Sequence, residues 1–276
     1  MNENSNPQNA ISHDVVLSPF GATVPEMVEA ARCAEDSGFG GVWTYDHLTG
    51  MMLDRGSSHD AFIVLGAIAA VTNRVRVGTL VANMMNRHPT RLAVAMSSLQ
   101  SISEGRAVLG LGGGSAPGSR FAREQETIGI ELLDGAGRSR RLVETIALVR
   151  ATWAGATHFE GEFFTVAEPG LELDQKNPPP IIIGASGQRT VELALEHGDG
   201  VNITGGPKLA DLLNFVHSRN VGDRFETSVH IPVDLDHPAG GSLPSIEPGA
   251  LNRRVLAWSA PFDLAAMARL GAAINQ

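Results

Sequence analysis

Short runs rich in β-branched residues alternate with longer stretches of helical periodicity along almost the whole 276-residue chain. This alternation constrains the fold more than any other feature, because repeated strand–helix units build a parallel sheet. The runs are VVLSPF, GVWTY, VRVGTLV, AVLGLG, NPPPIIIGASG, GVNITGG, TSVHIPVDL and RRVLAWSA. Eight strands with interleaved helices in ~250 residues match an α/β fold of one kind, a single (β/α)8 TIM barrel. The last third fits this pattern worst, since DHPAGGSLPSIEPG, rich in Gly and Pro, falls where a seventh helix belongs.

Local signals mark the helix ends. Thr23 can cap the first helix, with Pro25 in its first turn and Gly38 at its exit. Asp60 can cap AFIVLGAIAAVT, a helix apolar on nearly every side, which must be covered by the barrel on one side and by a second subunit on the other. Pro89 suits the first position of the next helix, which Gly105 ends. A long polar loop follows the fourth strand, and HFEGEFFTV reads as a small β-excursion. No repeat or linker interrupts the pattern, so residues 14–276 form one domain behind a flexible segment, 1–13.

Composition narrows the partners. Hydrophobic residues make up 43% of the chain and charged residues 18%, as in soluble globular proteins. No run approaches the ~18 apolar residues of a membrane span, and the polar start MNENSNPQNAISHD has no basic-then-apolar pattern, so a cytoplasmic protein is expected. A net charge of −9 gives no reason to seek nucleic acid or anionic membranes, which leaves small molecules as partners. Cys33, the single cysteine, allows no intrachain disulfide and reads as a small core residue.

In such a barrel the active site lies at the C-terminal ends of the strands. Asp46 and His47 come directly after strand two. His47 is the leading acid/base candidate, its bland alternative being a histidine satisfied by a loop carbonyl. Asp46 could orient His47, bind a ligand or cap the loop. The turn GASGQRT could hold a phosphate on its backbone N–H groups or be only a tight turn. GLGGGSAPG has the same two readings, its glycines letting a flat ligand approach. Metal catalysis is not expected: there is no H-x-H or H-E-x-x-H, and His59, His88 and His230 are scattered. No G-x-S-x-G elbow for nucleophilic hydrolysis occurs.

Five ordered blocks, AARCAEDSGFGGVWTYDH, RVRVGTLVANMMNRHPTRLAVAMSSLQSISEGRAVLGLGGG, RSRRLVETIALVRATWAG, HFEGEFF and PPIIIGASGQRTVELALEHGDGVNI, resemble the bacterial-luciferase-like superfamily. The subset using the deazaflavin coenzyme F420 is the nearest match, over roughly Val15 to Gly206. The resemblance implies a ring bound at the C-terminal face against Leu80, Val81, Asn83 and Gly113, with a non-proline cis peptide at Leu80 to Val81 or one residue either way. It implies a phosphate loop at Ser186, Gly187, Gln188 and Arg189, Asp46 near the coenzyme and His47 as acid/base. Arg87, His88 and Pro89 match a block read as helix entry and packing.

Two departures stand out. Ser115 occupies the position of the glutamate that serves sugar-phosphate dehydrogenases of this family as proton donor, and Leu48 to Met52 lacks their tryptophan. The function implied is hydride exchange between F420 and a small organic substrate that is not a sugar phosphate, in a homodimer joined through the second and third helices. An FMN-dependent two-component monooxygenase, fed by a separate cofactor-reducing enzyme, is the nearest rival. A non-catalytic flavin-binding paralogue is the rival of another class.

Overall fold

The computed structural model describes residues 11–167, 173, 175–236 and 249–275. Eight parallel strands close into a barrel: β1 (Ser12–Leu17), β2 (Gly41–Thr44), β3 (Arg76–Thr79) continued by β4 (Ala82–Asn83), β5 (Ala107–Gly112), β8 (Ile181–Ala185), β9 (Gly200–Thr204), β10 (Glu226–Pro232) and β11 (Arg253–Trp258). β1 pairs with both β2 and β11, and β3 and β4 both pair with β5. β6 (Phe159–Glu160) and β7 (Thr165–Val166) form the expected excursion as a small antiparallel hairpin.

Outside the barrel lie α1 (Val24–Asp36), α2 (Ala61–Ala69), α3 (Pro89–Ile102), α5 (Gly135–Trp153), α6 (Gln188–His197), α7 (Leu209–His217) and α8 (Leu264–Ile274), with a short α4 (Ala122–Thr127) ahead of α5. Thr23 caps α1 in a full capping box with Glu26, and Asp60 caps α2 by accepting from the N–H groups of Phe62 and Ile63. His88 caps α3 just before Pro89. The expected site of a seventh helix, from Asp236 to Gly249, falls mostly outside the described residues. No described helix is long and apolar enough to cross a membrane.

Strand alternation explains why the runs are apolar throughout. Val15 and Leu17 point outward to the helices, while Val16 points inward to join Trp43, Leu80, Val108, Ile182 and Val255 in a separate inner cluster. Both faces of each strand are therefore buried, as parallel barrels require. Below the inner cluster, Trp43 Nε1 donates to Asp14 Oδ2 at 2.7 Å, and Arg253 holds the other Asp14 oxygen.

One expectation changes, at the start of β1. β1 begins at Ser12, three residues ahead of the expected Val15, because Ser12 and His13 pair with Arg253 and Arg254 of β11. Those two residues thus belong to the barrel and not to a flexible segment; residues 1–10 lie outside the described ones. α2 buries Ala61, Val64, Leu65, Ile68 and Ala69, but Ile63 is 73% exposed on its outer side.

Candidate active site

At the C-terminal face a cavity of about 490 Å³ opens. Its walls come from the ends of seven of the eight barrel strands, so the topology converges residues that are far apart in sequence. The floor is formed by Leu80 and Val81, joined by the expected cis peptide bond. A Cβ at Gly112 or Gly184 would strike the Val81 side chain, so these two glycines leave the room that this side chain occupies. Asn83 and Gly113 line the same cavity.

His47 lies where β2 runs out, and its Nδ1 is 2.7 Å from Glu124 Oε2. The Glu124 side chain is nearly fully buried, and its second oxygen accepts from the Thr49 N–H at 3.2 Å. Nδ1 therefore donates to Glu124, and Nε2 is left for the cavity that His47 lines. Phe121 and Phe20 flank the imidazole, with ring centroids 4.8 and 5.4 Å away. Glu124 escaped the sequence reading because α4 sits inside what read as a polar loop, and nothing local singles it out among 30 acidic residues.

Asp46, expected as a candidate to orient His47, turns to Arg87 instead. Its Oδ2 accepts from Arg87 Nη1 at 2.6 Å and from the Asn83 N–H at 3.0 Å, and Arg87 reaches on to Asp60 at 2.7 Å. Adjacent strand-end side chains point to opposite sides, so one residue fixes the loop after β4 and the next faces a different partner. Arg87, read as packing, is the cation of that clamp. Tyr45 and His230 were not foreseen as a pair: the phenol oxygen lies 2.9 Å from His230 Nε2, and both line the cavity. Burial lowers the His230 pKa to about 4 and raises that of Tyr45, so both are neutral near pH 7.

A second recess of about 320 Å³ shares Gly113, Gly114, Gly184 and Ser186 with the main cavity. It lies at the start of α6, whose N-cap Gly187 offers no side-chain cap, so its first N–H groups stay available. Ser186 and Arg189 line it, but the Gln188 amide turns to Glu192 at 3.1 Å, and Arg189 also lies 3.7 Å from Glu192. Arg138 lines the recess too, although sequence reasoning did not single it out. One of its terminal nitrogens donates to the Gly114 carbonyl, while its Nε is buried with no partner. Ser115 donates its N–H to Gln125 Oε1 at 3.1 Å and edges the main cavity. Among the described residues no three His, Cys, Asp or Glu side chains gather as a metal site.

The chain is 35% identical over 188 residues to the F420-dependent hydroxymycolic acid dehydrogenase of Mycobacterium tuberculosis, a match covering 67% of this chain and 51% of that protein. It is 34% identical over 183 residues to the F420-dependent glucose-6-phosphate dehydrogenase of Microbacterium testaceum, covering 66% and 53%. The chain thus spans about half the length of the curated relatives it matches. In fold it resembles an F420-dependent secondary alcohol dehydrogenase solved with an F420–acetone adduct (TM-score 0.77, 18% identity, 95% and 97% of the two chains). It also resembles the EDTA monooxygenase of Chelativorans sp. BNC1 (TM-score 0.73, 12% identity, 96% and 93%). The model of the luciferase-like monooxygenases matches residues 4–220, most of the chain, and the protein belongs to that family.

Proposed function

We propose that the protein is an oxidoreductase that exchanges a hydride between coenzyme F420 and a small organic substrate. One observation carries this reading: a histidine of fixed orientation stands at one end of a continuous cleft, and an anion-accepting recess stands at the other. The names of the relatives matched in sequence support the deazaflavin over FMN.

The residues fit such a cofactor. Arg138 Nε, buried and without a partner, is a donor that a phosphate in the recess would satisfy, together with Ser186 and the N–H groups at the start of α6. Leu80, Val81, Asn83 and Gly113 would back the ring, and the Asp46–Arg87 pair holds the Asn83 loop in place. The deazaflavin supplies a carbon centre that takes or gives an electron pair as hydride. His47 moves the accompanying proton through Nε2, while Glu124 keeps Nδ1 protonated and the ring plane fixed. Phe20 and Phe121 shield that imidazole from water. A second copy against the exposed Ile63 of α2 completes the reading as a homodimer.

The test is titration of the purified protein with F420 and, separately, with FMN, followed by ring fluorescence. Saturable F420 binding is the expected result. Tight FMN binding without any response to F420 overturns the reading in favour of an FMN-dependent monooxygenase.

A further inference from the structure

Inside the barrel most strands present apolar side chains: Val16, Trp43, Leu80, Val108, Ile182 and Val255. Two neighbouring strands do not. Asn202 and Thr204 of β9 stand in register with Ser228 and His230 of β10, and strand alternation points all four to one face. Asn202, Thr204 and His230 line the main cavity. Tyr45 packs against the inner cluster just past β2, and its phenol meets His230 across the mouth of the barrel, since β1 and β11 lie between their strands. This strip stands away from the recess. The recess is carried by the ends of β5 and β8, which lie four strands round the barrel from β11 and β1, the strands that the Tyr45–His230 bond spans.

The polar groups of the strip keep unused hydrogen-bonding positions. Ser228 Oγ gives its proton to the Val201 carbonyl and therefore accepts from Asn202 Nδ2 at 2.9 Å. That orients the amide and leaves Asn202 Oδ1 without a partner among the described residues. His230 Nδ1 is likewise without one. If Tyr45 donates to His230 Nε2, Nδ1 carries a proton and the phenol oxygen can accept; if Nε2 donates, the phenol keeps its proton and Nδ1 accepts. Either tautomer presents one donor and one acceptor. Among the described residues no lysine or arginine lines the cavity, and Asp46 is held by Arg87, so the strip offers hydrogen bonds without charge. Unpaired polar atoms on an otherwise apolar face are costly, and an uncharged ligand edge with its own donors and acceptors removes that cost.

We propose that Asn202, His230 and Tyr45 form the hydrogen-bonding end of the ring site and hold the imide edge of the deazaflavin, the neutral sequence C=O, N–H, C=O in the plane of the ring. This rests on the F420 reading above. Asn202 Oδ1 accepts from the imide N–H, and the Tyr45–His230 pair donates to a flanking carbonyl. The recess and the strip close opposite ends of one cleft, so a ligand with its phosphate in the first brings its ring to the second.

The purified protein is titrated with F420, with a phosphate-free deazaflavin and with the same deazaflavin methylated on its imide nitrogen, each followed by ring fluorescence. Methylation removes the donor of the edge and should weaken binding to the wild type about tenfold or more. His230→Phe keeps a planar ring without nitrogen. It should bind the unmethylated probe about tenfold less tightly, and methylation should then cost it less than it costs the wild type, because both changes act on one contact. His230→Gln, which keeps a donor and an acceptor, should retain most of the wild-type affinity and of the methylation effect. Saturable F420 binding with a smaller methylation effect in the wild type overturns the proposal and leaves the F420 reading standing; this comparison needs no variant. An equal or larger loss on methylation in His230→Phe overturns it as well. Absence of F420 binding removes the F420 reading and this one with it.

Discussion

His47 Nδ1 and Glu124 Oε2 lie 2.7 Å apart although 77 residues separate them in the chain. This contact fixes which imidazole nitrogen faces the cavity. Replacing Glu124 by Gln keeps the shape but removes the anion that selects the tautomer. Turnover should fall by about 10-fold or more, since losing the carboxylate that fixes the tautomer of an acid/base histidine can cost up to about 10⁴ in kcat, and the pH profile of kcat should move while F420 affinity stays. An unchanged pH profile and kcat would show that the contact is only structural.

His47→Ala removes the side chain proposed to carry the proton. The expected loss in turnover is about 10²- to 10⁴-fold, with ring binding retained because the floor and the recess lack His47. Titration and steady-state kinetics on the same sample separate the two effects; normal turnover excludes His47 from the chemistry.

Arg138→Ala takes away the guanidinium whose buried Nε has no protein partner. A charge-assisted hydrogen bond contributes about 1.5–3 kcal/mol, so the dissociation constant for F420 should rise roughly tenfold or more. A phosphate-free deazaflavin should bind wild type and variant alike. Equal losses for both ligands would mean that the variant has damaged the ring site.

Gly184→Ala places a methyl group against Val81. Overpacking of this kind costs about 1–3 kcal/mol, which a chemical denaturation curve measures directly. The added variant Val81→Ala should restore part of the loss, and failure to do so would show that the Val81 side chain is not what the methyl group meets.

His230 remains neutral in the folded protein down to about pH 4, whereas the unfolded chain takes up a proton near pH 6.5. Between these values the unfolded state binds the extra proton, so acidification from pH 7 to 4.5 weakens folding, and stability from this group is complete above 6.5. The loss is on the order of 3 kcal/mol at the acidic end. His230→Gln should therefore lose less stability over that range than the wild type. Parallel losses in both proteins would assign the acid sensitivity to other groups.

The local pattern of residues was enough to specify the barrel. Short β-branched runs and capping residues such as Thr23 and Asp60 act over a few positions, so the strand order, the starts of α1, α2 and α3 and the strand ends on the C-terminal face were legible, while α4 and α8 were not. The limits of β1 were less so, because Ser12 and His13 become strand only by pairing with β11, some 240 residues away. The same holds for the partners within the site. Asp46 meets Arg87, Tyr45 meets His230 and His47 meets Glu124 across 41, 185 and 77 residues. Sequence placed His47 at the C-terminal face of the barrel, since a strand end is a local event. Closure of the barrel alone decided that its carboxylate is Glu124 and not the adjacent Asp46, because neighbouring side chains at a strand end diverge while distant ones converge.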